Sequence, residues 1–576
     1  MSDHPSSGRV ERVNGPLVEV SGLKDVAALD VIEVGPLHIA AEVVAIRDGR
    51  LTAEAFEYTG GLRVGDEVTA QNRPLSARLG PGLLGGIFDG LLRPLEGGPT
   101  WLEPGSLAAL ASTTTWSFVP APIAVGTSLG PGSLLGILAS DGDVEHRVLV
   151  PPDVSGTLTW LCVPCEITES EPVATIDDHD VTLFESWPVR RARPARARLR
   201  TNEPLVTGQR VVDLFFPVAL GATAAVPGGF GTGKTMLLQQ IVKWADVEVV
   251  IFVGCGERGN ELADAVADLM ALKDPKTGRD LRERTVVIAN TSNMPVMARV
   301  ASVYTGMTVA EYYRDMGYRV VILADSTSRW AEALREFSSR SGELPAEEGY
   351  PASLSSSLAA FYERAARVTT LGGTEGSVTL IGAVSPAGGD MTEPVTSQTV
   401  RYVRSLWSLD RDLAYARHYP AVSWRHSFSL DDQLIANWHA TEGRVGWSES
   451  RARALALLAE ADRLASVVEL VGLGALPSRE RVVMLTGRLL REGVLQQSAL
   501  SENDAYCSPE KQSALLDMVL AVYDRCLALL EGGLPASAIE EFDLTAVTRA
   551  RDETGPDDDA GVNRLRDEVL AGMAAS

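Results

Sequence analysis

Long apolar runs and cysteines are both scarce in this sequence, and each scarcity excludes a class of protein. No run of about eighteen apolar residues occurs, so we expect no helix that spans a membrane. The first residues carry neither the basic nor the apolar segment of a signal peptide, so we expect a cytoplasmic protein. Five cysteines in 576 residues are too few for a disulfide framework and suit a reducing compartment.

Basic residues and paired metal ligands are also in short supply. The formal net charge is −24, which argues against a nucleic-acid groove as the main binding surface. The seven histidines form no H-x-x-x-H pair, so the sequence indicates no structural metal site. Cys162 and Cys165 have the spacing of half a zinc knuckle. Because no second cysteine pair follows, we expect a loop with two ordinary thiols.

The most informative motif is a glycine-rich string between a short apolar strand and an apolar helix. It fits the phosphate-loop pattern G-x-x-x-x-G-K-[ST] in the strand–loop–helix context that this pattern requires. Glycines let backbone N–H groups turn inward around an anion, and the helix start adds free N–H donors. Lys234 can then reach the terminal phosphates, and the Thr235 hydroxyl can ligate Mg²⁺, so we expect nucleoside triphosphate binding. The residues are Gly228, Gly229, Phe230, Gly231, Thr232, Gly233, Lys234 and Thr235, with Met236 next in the helix.

A second strand supplies the acid that hydrolysis needs. The apolar run 319–324 ends in Asp325, which predicts a carboxylate at the carboxyl edge of a sheet, beside the phosphate loop. There it can hold a hydrated Mg²⁺. An aspartate after a strand is also a common helix cap, and Ser326 follows it here. The phosphate loop upstream favours the metal role.

A third apolar strand, 249–253, is followed by a carboxylate and a guanidinium between glycines. Glu257 is the candidate that polarises the attacking water, and Arg258 is the candidate that holds charge on the γ-phosphate or its product. The alternative is an exposed ion pair in a loop, which would contribute little. The position after a strand of the same sheet favours the functional interpretation.

Turn signals and periodicity divide the chain into five predicted regions. Short strands predict a small β-barrel in 1–75, and a Gly/Leu-rich connector follows in 76–109. An inserted β-rich module is predicted in 110–190. Alternating strands and helices predict an α/β phosphate-loop domain in 191–435, and helical spacing predicts an α-helical domain in 436–576.

Individual elements of the last two regions can also be predicted. Continuous apolar runs predict buried strands at 247–253, 286–289, 319–324 and 378–384. Apolar residues at three- and four-residue spacing predict helices at 451–470, 479–495, 513–530 and 539–551. From Asp557 onward the sequence is polar, and we expect a frayed end.

Several strings together resemble the catalytic A subunits of archaeal-type and vacuolar-type rotary ATPases. The similarity runs from about residue 8 to about residue 510. The inserted module is itself typical of A subunits and separates them from non-catalytic B subunits and from F-type β chains. The strings are the phosphate loop, 203–210, 256–261, 325–330, 347–352, 390–396, Gln496-Gln497 and 504–507.

This resemblance implies a RecA-like nucleotide-binding domain and a defined assembly. Three A and three B chains would alternate in a ring, joined by central and peripheral stalk subunits to a membrane sector that translocates protons or sodium ions. The ring would lie on the cytoplasmic face of the membrane. Each A chain would hydrolyse or make ATP at an interface with a B subunit, which supplies an arginine finger in trans. No nucleic-acid partner is implied.

The resemblance also assigns roles to residues, with ATP or ADP and Mg²⁺ as ligands. Lys234 and Thr235 would bind phosphate and Mg²⁺, with Asp325 behind the metal. Glu257 would activate water, and Arg258 would contact phosphate. The nucleotide-binding set would extend to Met236, Tyr419, Gln496 and Gln497.

Some positions depart from the family pattern. Gly229 stands where Pro or Ala is common, and Thr232 where Ser or Cys is common; both leave the phosphate-binding backbone intact. Tyr419 stands where Phe is usual. Leu500 stands where an aromatic residue usually lies near adenine, so ring stacking there is lost. Ser357 replaces a usual arginine, which changes an inter-subunit or pocket contact.

Three other functions fit parts of the pattern. A catalytically silent nucleotide binder is disfavoured because Lys234, Thr235, Glu257 and Asp325 are all present. A ring translocase acting on RNA shares the core fold, but the acidic balance and the inserted module speak against it. A secretion-system ATPase would lack the inserted module.

Overall fold

The computed structural model describes residues 7–47, 49–96, 104–105, 114–139 and 142–574. The chain folds into two compact units, each made of three chain segments. The first unit contains 1–200, 247–384 and 392–402, and the second unit contains 201–246, 385–391 and 403–576. The borders of the five predicted regions stay predictions, because the two units are built from separate segments and do not correspond to consecutive regions of the chain.

The first unit begins with a closed antiparallel barrel. Its strands are β1 (Ser7–Asn14), β2 (Leu17–Ser21), β3 (Asp30–Val34), β4 (Ile39–Arg47), β5 (Arg50–Ala55) and β6 (Glu67–Pro74). They pair in the order β1-β2-β5-β4-β3-β6, and β6 closes onto β1. Alternate residues such as Val18, Val20 and Ile32 fill the interior. The prediction of an N-terminal barrel is confirmed.

The inserted module of the first unit is a sandwich of two antiparallel sheets. Its sheets have the orders β10-β13-β15-β16 and β12-β11-β9-β14, and they enclose buried side chains including Phe118, Leu135 and Leu158. Part of the predicted connector and the start of the predicted module lie outside the described residues. The strands of this region are β7 (Ser76–Leu79), β8 (Ile87–Phe88), β9 (Thr115–Pro120), β10 (Ser128–Leu129), β11 (Leu134–Leu138), β12 (His146–Leu149), β13 (Gly156–Leu161), β14 (Cys165–Thr168), β15 (Pro172–Ile176), β16 (His179–Thr182), β17 (Glu185–Pro188) and β18 (Ala197–Arg198).

Cys162 and Cys165 are joined by a disulfide, so the prediction of two ordinary thiols is wrong. The pair flanks the turn Val163-Pro164 between β13 and β14, which belong to different sheets of the sandwich. Because this turn folds the chain back from one sheet into the other, the two sulfur atoms meet. The other three cysteines are free and buried.

The chain next enters the second unit and then returns to the first. The second unit receives β19 (Thr223–Pro227) and α1 (Lys234–Trp244). The first unit receives a parallel sheet in the order β8-β21-β20-β22-β24, with β23 antiparallel at β24 and β18 antiparallel at β23. The elements are β20 (Val249–Cys255), α2 (Gly259–Ala271), β21 (Thr285–Asn290), α3 (Val296–Asp315), β22 (Arg319–Asp325), α4 (Thr327–Ser341), α5 (Leu354–Tyr362), β23 (Ala366–Thr369), β24 (Glu375–Val384) and α6 (Pro394–Thr399).

The four predicted buried strands correspond to β20, β21, β22 and β24. Every residue of β20 and β21 is buried, as expected for central strands of a parallel sheet with helices on its faces. Parallel strands align their carboxyl ends at one edge. In this sheet Gly254 of β20 pairs with Asp325 of β22, so the residues after these two strands emerge side by side.

The rest of the second unit is mostly helical. Its strand β25 pairs in parallel with β19 and antiparallel with β26. The elements are β25 (Ser405–Leu406), α7 (Arg411–Tyr415), β26 (Phe428–Ser429), α8 (Asp432–Thr441), α9 (Trp447–Val471), α10 (Ser478–Leu490), α11 (Pro509–Glu531), α12 (Ala536–Glu540), α13 (Thr545–Glu553) and α14 (Asp559–Ala574), with π-helical turns at Val211–Phe215 and Arg491–Leu495. The predicted helical C-terminal region is confirmed.

Two predictions for the last part of the chain are wrong. The helix predicted over 539–551 is two helices, α12 and α13, because the Asp543 side chain accepts a hydrogen bond from the Thr545 amide at the start of α13. The end predicted to fray forms α14, which packs against α11 and buries Val562 and Met573. No helix within the described ranges combines the length and the hydropathy that a membrane span requires.

Candidate active site

The phosphate loop of the second unit has the backbone that the sequence predicts. Buried β19 ends at Pro227, the loop follows, and α1 begins at Lys234. Gly231 and Gly233 have φ values of 78° and 85°, in the left-handed region that glycine adopts without a Cβ clash. The first N–H groups of a helix have no carbonyl partner within it, so the start of α1 adds donors and a partial positive charge directly after the loop.

Lys234 is held at the loop by two oxygen atoms. Its Nζ donates hydrogen bonds to the Ser385 hydroxyl and, at 3.4 Å, to the Gly228 carbonyl. Thr232 is buried and its hydroxyl donates to the Gly229 carbonyl at 2.8 Å, which fixes the turn of the loop. These contacts place a positive charge beside the backbone amides of the loop, as phosphate binding requires.

Other residues of the predicted loop set face solvent. Phe230 is 98% exposed, and Thr235 and Met236 are exposed in the first turn of α1. Ser385 is a partner that the sequence interpretation missed. It directly follows β24, so the rule that singled out Asp325, a polar residue at the end of a buried strand, could have found it.

The Tyr419 ring lies against the same loop. Two of its ring carbons lie 3.3 and 3.4 Å from the point where a Cβ on Gly233 would be. Position 233 therefore favours glycine for its positive φ, and a Cβ there would also lie close against the Tyr419 ring. Tyr419 is 43% exposed, so one side of the ring is open to a ligand.

The segment 496–504 lies next to Tyr419. The Gln497 amide donates to the Tyr419 carbonyl at 2.8 Å. The Gln497 side chain is buried and bonded to backbone: its Oε1 accepts from the Arg210 amide, and its Nε2 donates to the Gly208 carbonyl, each at 2.8 Å. Gln497 thus anchors the segment with both ends of its side chain. Gln496 is half-buried, and Leu500 is 94% exposed.

The first unit carries the two predicted acids at one sheet edge. Glu257 follows β20, and Asp325 ends the neighbouring strand β22. The Ser326 hydroxyl donates to Glu257 Oε1 at 3.4 Å and also caps α4 by accepting from the Arg329 amide. Asp325 is buried, whereas the Glu257 side chain is 25% exposed and accessible to water.

Two arginines lie near Glu257. The Arg258 side chain is 78% exposed, and its guanidinium lies 3.6 Å from the Glu261 carboxylate, the exposed pair that the sequence left as an alternative. Arg329 Nε lies 3.9 Å from Glu257 Oε1, and its Nη1 donates to both oxygens of Glu332 at 3.0 Å. The sequence interpretation missed Arg329. Its position in the first turn of the helix after Asp325 was the available signal.

Four family models match most of the chain. Residues 208–429 match the ATP synthase alpha/beta family nucleotide-binding domain, and residues 10–72 match its beta-barrel domain. Residues 107–190 match the ATP synthase alpha/beta subunit barrel-sandwich domain. Residues 436–537 match the C-terminal domain of V and A type ATP synthase.

Curated relatives extend over the same length. The V-type ATP synthase alpha chain of Nitrosococcus oceani is 49% identical over 94% of this chain and 93% of its own length. The A subunit of the A-type ATP synthase of Methanopyrus kandleri is 46% identical over 93% of each chain. The V-type ATP synthase alpha chain of Anaeromyxobacter dehalogenans is 48% identical over 94% of each.

This chain belongs to the V/A-type ATP synthase alpha-chain family. The resemblance inferred from the motifs is confirmed, as is the predicted order of barrel, inserted β-rich module, nucleotide-binding domain and helical domain. The solved structure of the assembled type III secretion ATPase EscN from enteropathogenic E. coli covers 89% of this chain and 100% of its own, with a TM-score of 0.63 and 22% identity. That likeness shows the fold alone.

The donor chemistry of this V/A-type alpha chain fits Mg²⁺. Mg²⁺ takes oxygen ligands, keeps several waters and is usually held by one or two protein oxygens together with substrate phosphates. The Thr235 hydroxyl and the Asp325 carboxylate are such donors. Among the described residues, no group of three His, Cys, Asp or Glu side chains could hold a metal ion by itself. Each of these donors, Thr235 in the second unit and Asp325 in the first, is therefore of the type that suits Mg²⁺ together with phosphate oxygens.

Proposed function

We propose that this chain hydrolyses or makes ATP by in-line transfer of the γ-phosphoryl group between ADP and water. The phosphate loop would hold the triphosphate. Its family is the nucleotide-binding catalytic subunit of V/A-type ATP synthases, which couple ATP chemistry to ion translocation. The observation that carries the proposal is the position of Lys234. Its ammonium group donates to the Gly228 carbonyl and the Ser385 hydroxyl, beside a loop whose backbone N–H groups can bind an anion.

Glu257 is the proposed water-activating residue. The Ser326 hydroxyl donates to its carboxylate, Arg329 lies 3.9 Å from it, and its partial exposure leaves room for a water molecule. Arg258 is proposed to contact the γ-phosphate or its product, for which its exposed guanidinium is available. Because a loose phosphoryl-transfer transition state spreads negative charge over oxygens, positioned cations and a metal supply most of the stabilisation.

Thr235 and Asp325 are the residues proposed for Mg²⁺: the Thr235 hydroxyl would ligate the ion, and the Asp325 carboxylate would hold water at the ion. When bound, the ion neutralises charge on the β- and γ-phosphates. Met236, Tyr419 and Gln496 are proposed to line the nucleotide, and Gln497 to act by anchoring the segment behind it. The Tyr419 ring offers a stacking surface for the base.

The partners are proposed from the family. The A-type relatives are named as parts of ATP synthases, so we propose a ring of three such chains alternating with three B-type subunits. The B subunit would supply an arginine finger, stalk subunits would connect the ring to an ion-translocating membrane sector, and the chain would lie on the cytoplasmic face of that membrane. The second candidate function is a catalytically silent nucleotide binder. A measurement of ATP turnover distinguishes the two functions.

The test is a pair of substitutions assayed in complex with a B-type partner. Glu257→Gln should keep MgATP binding and lower turnover by about 10²–10⁴-fold, because only the carboxylate can polarise water. Lys234→Ala should weaken MgATP binding and abolish turnover. Asp264→Asn, an exposed acid on α2, is the matched control and should leave both unchanged. Normal turnover in the Glu257→Gln variant would remove Glu257 from this role.

A further inference from the structure

A partly buried arginine of helix α13, Arg551, reaches the segment 496–504, which we call the base loop. Arg551 Nη1 donates to Asp504 Oδ2 at 2.6 Å and to the Gln496 carbonyl at 3.1 Å. Its side chain is 15% exposed, and Asp504 is fully buried. Arg551 lies beyond residue 537, where the matched C-terminal family segment ends. The end of the chain therefore holds a loop more than forty residues earlier.

Asp504 links two guanidinium groups to the backbone of the base loop. Its Oδ1 forms an ion pair with Arg210 Nη1 at 2.6 Å, and its Oδ2 also accepts from the Ser498 amide at 2.6 Å. Arg210 in turn donates to the Val494 and Gln496 carbonyls. Two arginines and one carboxylate thus fix both ends of the base loop. Loss of either arginine would leave the buried Asp504 with one charge partner.

The helix that carries Arg551 is itself fixed against the base loop. Lys511 is fully buried, and its Nζ donates to the Arg551, Thr554 and Asn503 carbonyls at 2.9–3.0 Å. The Asn503 side chain donates to the Asp552 carbonyl at 2.8 Å. These bonds satisfy free carbonyls at the carboxyl end of α13. They therefore fix the backbone from which the Arg551 side chain extends.

The other side of the base loop contacts the proposed nucleotide site. The Gln497 amide donates to the Tyr419 carbonyl, and the Tyr419 ring lies against Gly233 of the phosphate loop. A continuous series of contacts therefore runs from Arg551 through Asp504 and the base loop to Tyr419. Leu500, in the base loop, is exposed, and an aliphatic side chain can pack on a ligand without fixing the plane of its ring.

We infer that Arg551 is a positioning residue for the heteroaromatic base of the nucleotide. It sets the base loop, and through it Tyr419, at the distance that admits the ring of the base. This inference rests on the proposed function, since it concerns the same nucleotide. The triphosphate is held by separate groups, Lys234 and the loop amides, so Arg551 affects recognition of the base and leaves recognition of the phosphates unchanged.

The test compares two ligands that differ in the base. Dissociation constants of MgATP and of magnesium tripolyphosphate are measured for the chain in complex with its B-type partner. Arg551→Gln should weaken the binding of MgATP about tenfold and the binding of tripolyphosphate less than twofold. It should also raise KM for ATP while kcat stays within about twofold of its original value. Arg551→Lys should restore part of the ATP affinity, because it keeps one charge beside Asp504. Arg549→Gln, a mostly exposed arginine of the same helix, is the matched control and should change neither constant.

A merely structural role gives a different result. Equal weakening of both ligands, or a lower melting temperature with an unchanged ratio of the two constants, would overturn the inference. If Arg551→Gln does not fold, Asn503→Ala provides a second test, because it removes the bond to the Asp552 carbonyl. It should still lower the preference for ATP over tripolyphosphate about two- to fivefold. An unchanged ratio of the two dissociation constants in this variant would also overturn the inference. If the unsubstituted chain binds neither ligand, the proposed function fails instead.

Discussion

Glu54 is a buried carboxylate whose surroundings favour its protonated form. Both of its oxygens are buried and have no hydrogen-bond donor among the described residues. Burial raises the pKa of Glu54 to about 7; Arg340, 3.9 Å away at the end of α4, opposes this rise, and the nearby charges of Glu336 and Glu42 add to it. Glu42 faces Glu54 across β4 and β5 and is itself paired with Arg190. The contact between the barrel and α4 therefore depends on pH.

Glu54→Gln should remove a pH dependence of stability. The folded state keeps the Glu54 proton up to about pH 7, whereas the unfolded chain releases it near its ordinary value of 4.5. The free energy of unfolding therefore falls as pH rises through this window, by up to about 3 kcal/mol. Calorimetry at pH 5 and pH 8 should show a smaller drop in melting temperature for Glu54→Gln than for the unsubstituted chain.

The matched control for this measurement is Glu67→Gln, which changes an exposed glutamate of β6 in the same barrel. It should leave the drop between pH 5 and pH 8 unchanged. An identical drop in Glu54→Gln and in the unsubstituted chain would show that Glu54 is ionised throughout the window.

The sequence predicted those parts of the candidate site that depend on residue type within a short local motif. The phosphate loop, Glu257 and Asp325 follow from glycine spacing and from acids at strand ends, and each lies at the end of the strand that the sequence predicts. Ser385 and Arg329 were missed because each is defined by a partner distant in sequence, Lys234 and Glu257 respectively. The buried anchoring role of Gln497 depends on Arg210 and Gly208, which no local pattern indicates.

The buried strands were predicted well, whereas the disulfide and the last helix were not. Strands β20, β21, β22 and β24 are long apolar runs, and burial on both faces leaves the sequence few alternatives. The disulfide depends on a turn between two sheets, which sequence spacing does not specify. The last helix has apolar residues at three- and four-residue spacing (Val562, Leu565, Val569 and Met573), but the three aspartates before it suggested a polar tail.

Helix α14 should behave as an ordered part of the helical domain. Backbone amides of 562–573 should exchange with deuterium slowly, because the helix packs on α11 and Arg525 donates to the Met573 carbonyl. Val562→Ala should reduce this protection by about 1–3 kcal/mol, since Val562 is fully buried.

The matched control on the same helix is Glu568→Ala, an exposed position that should keep the protection. Exchange of these amides within seconds in the unsubstituted chain would instead support the frayed end that the sequence suggested.

The whole chain should need its partner for activity. Under the proposed function, the arginine finger comes from a B-type subunit, so the isolated chain should bind MgATP yet hydrolyse it slowly. Adding the B-type partner should raise turnover by at least about 10²-fold, since such a residue stabilises the charge of the transition state. Phosphate release measured with and without the partner provides the check. Rapid turnover by a pure monomer would argue against a shared site.

The alternation of chain segments between the two compact units has a practical consequence. Each unit is built from three separate segments, so the polypeptide passes between them five times. No single truncation or protease cut can release either unit as an unbroken fragment. Fragments made by cutting at residue 200 or 402 would each lack strands or helices of their own core, and they should aggregate when expressed alone. Study of either unit alone would require new connections between its three segments or co-expression of those segments as separate polypeptides.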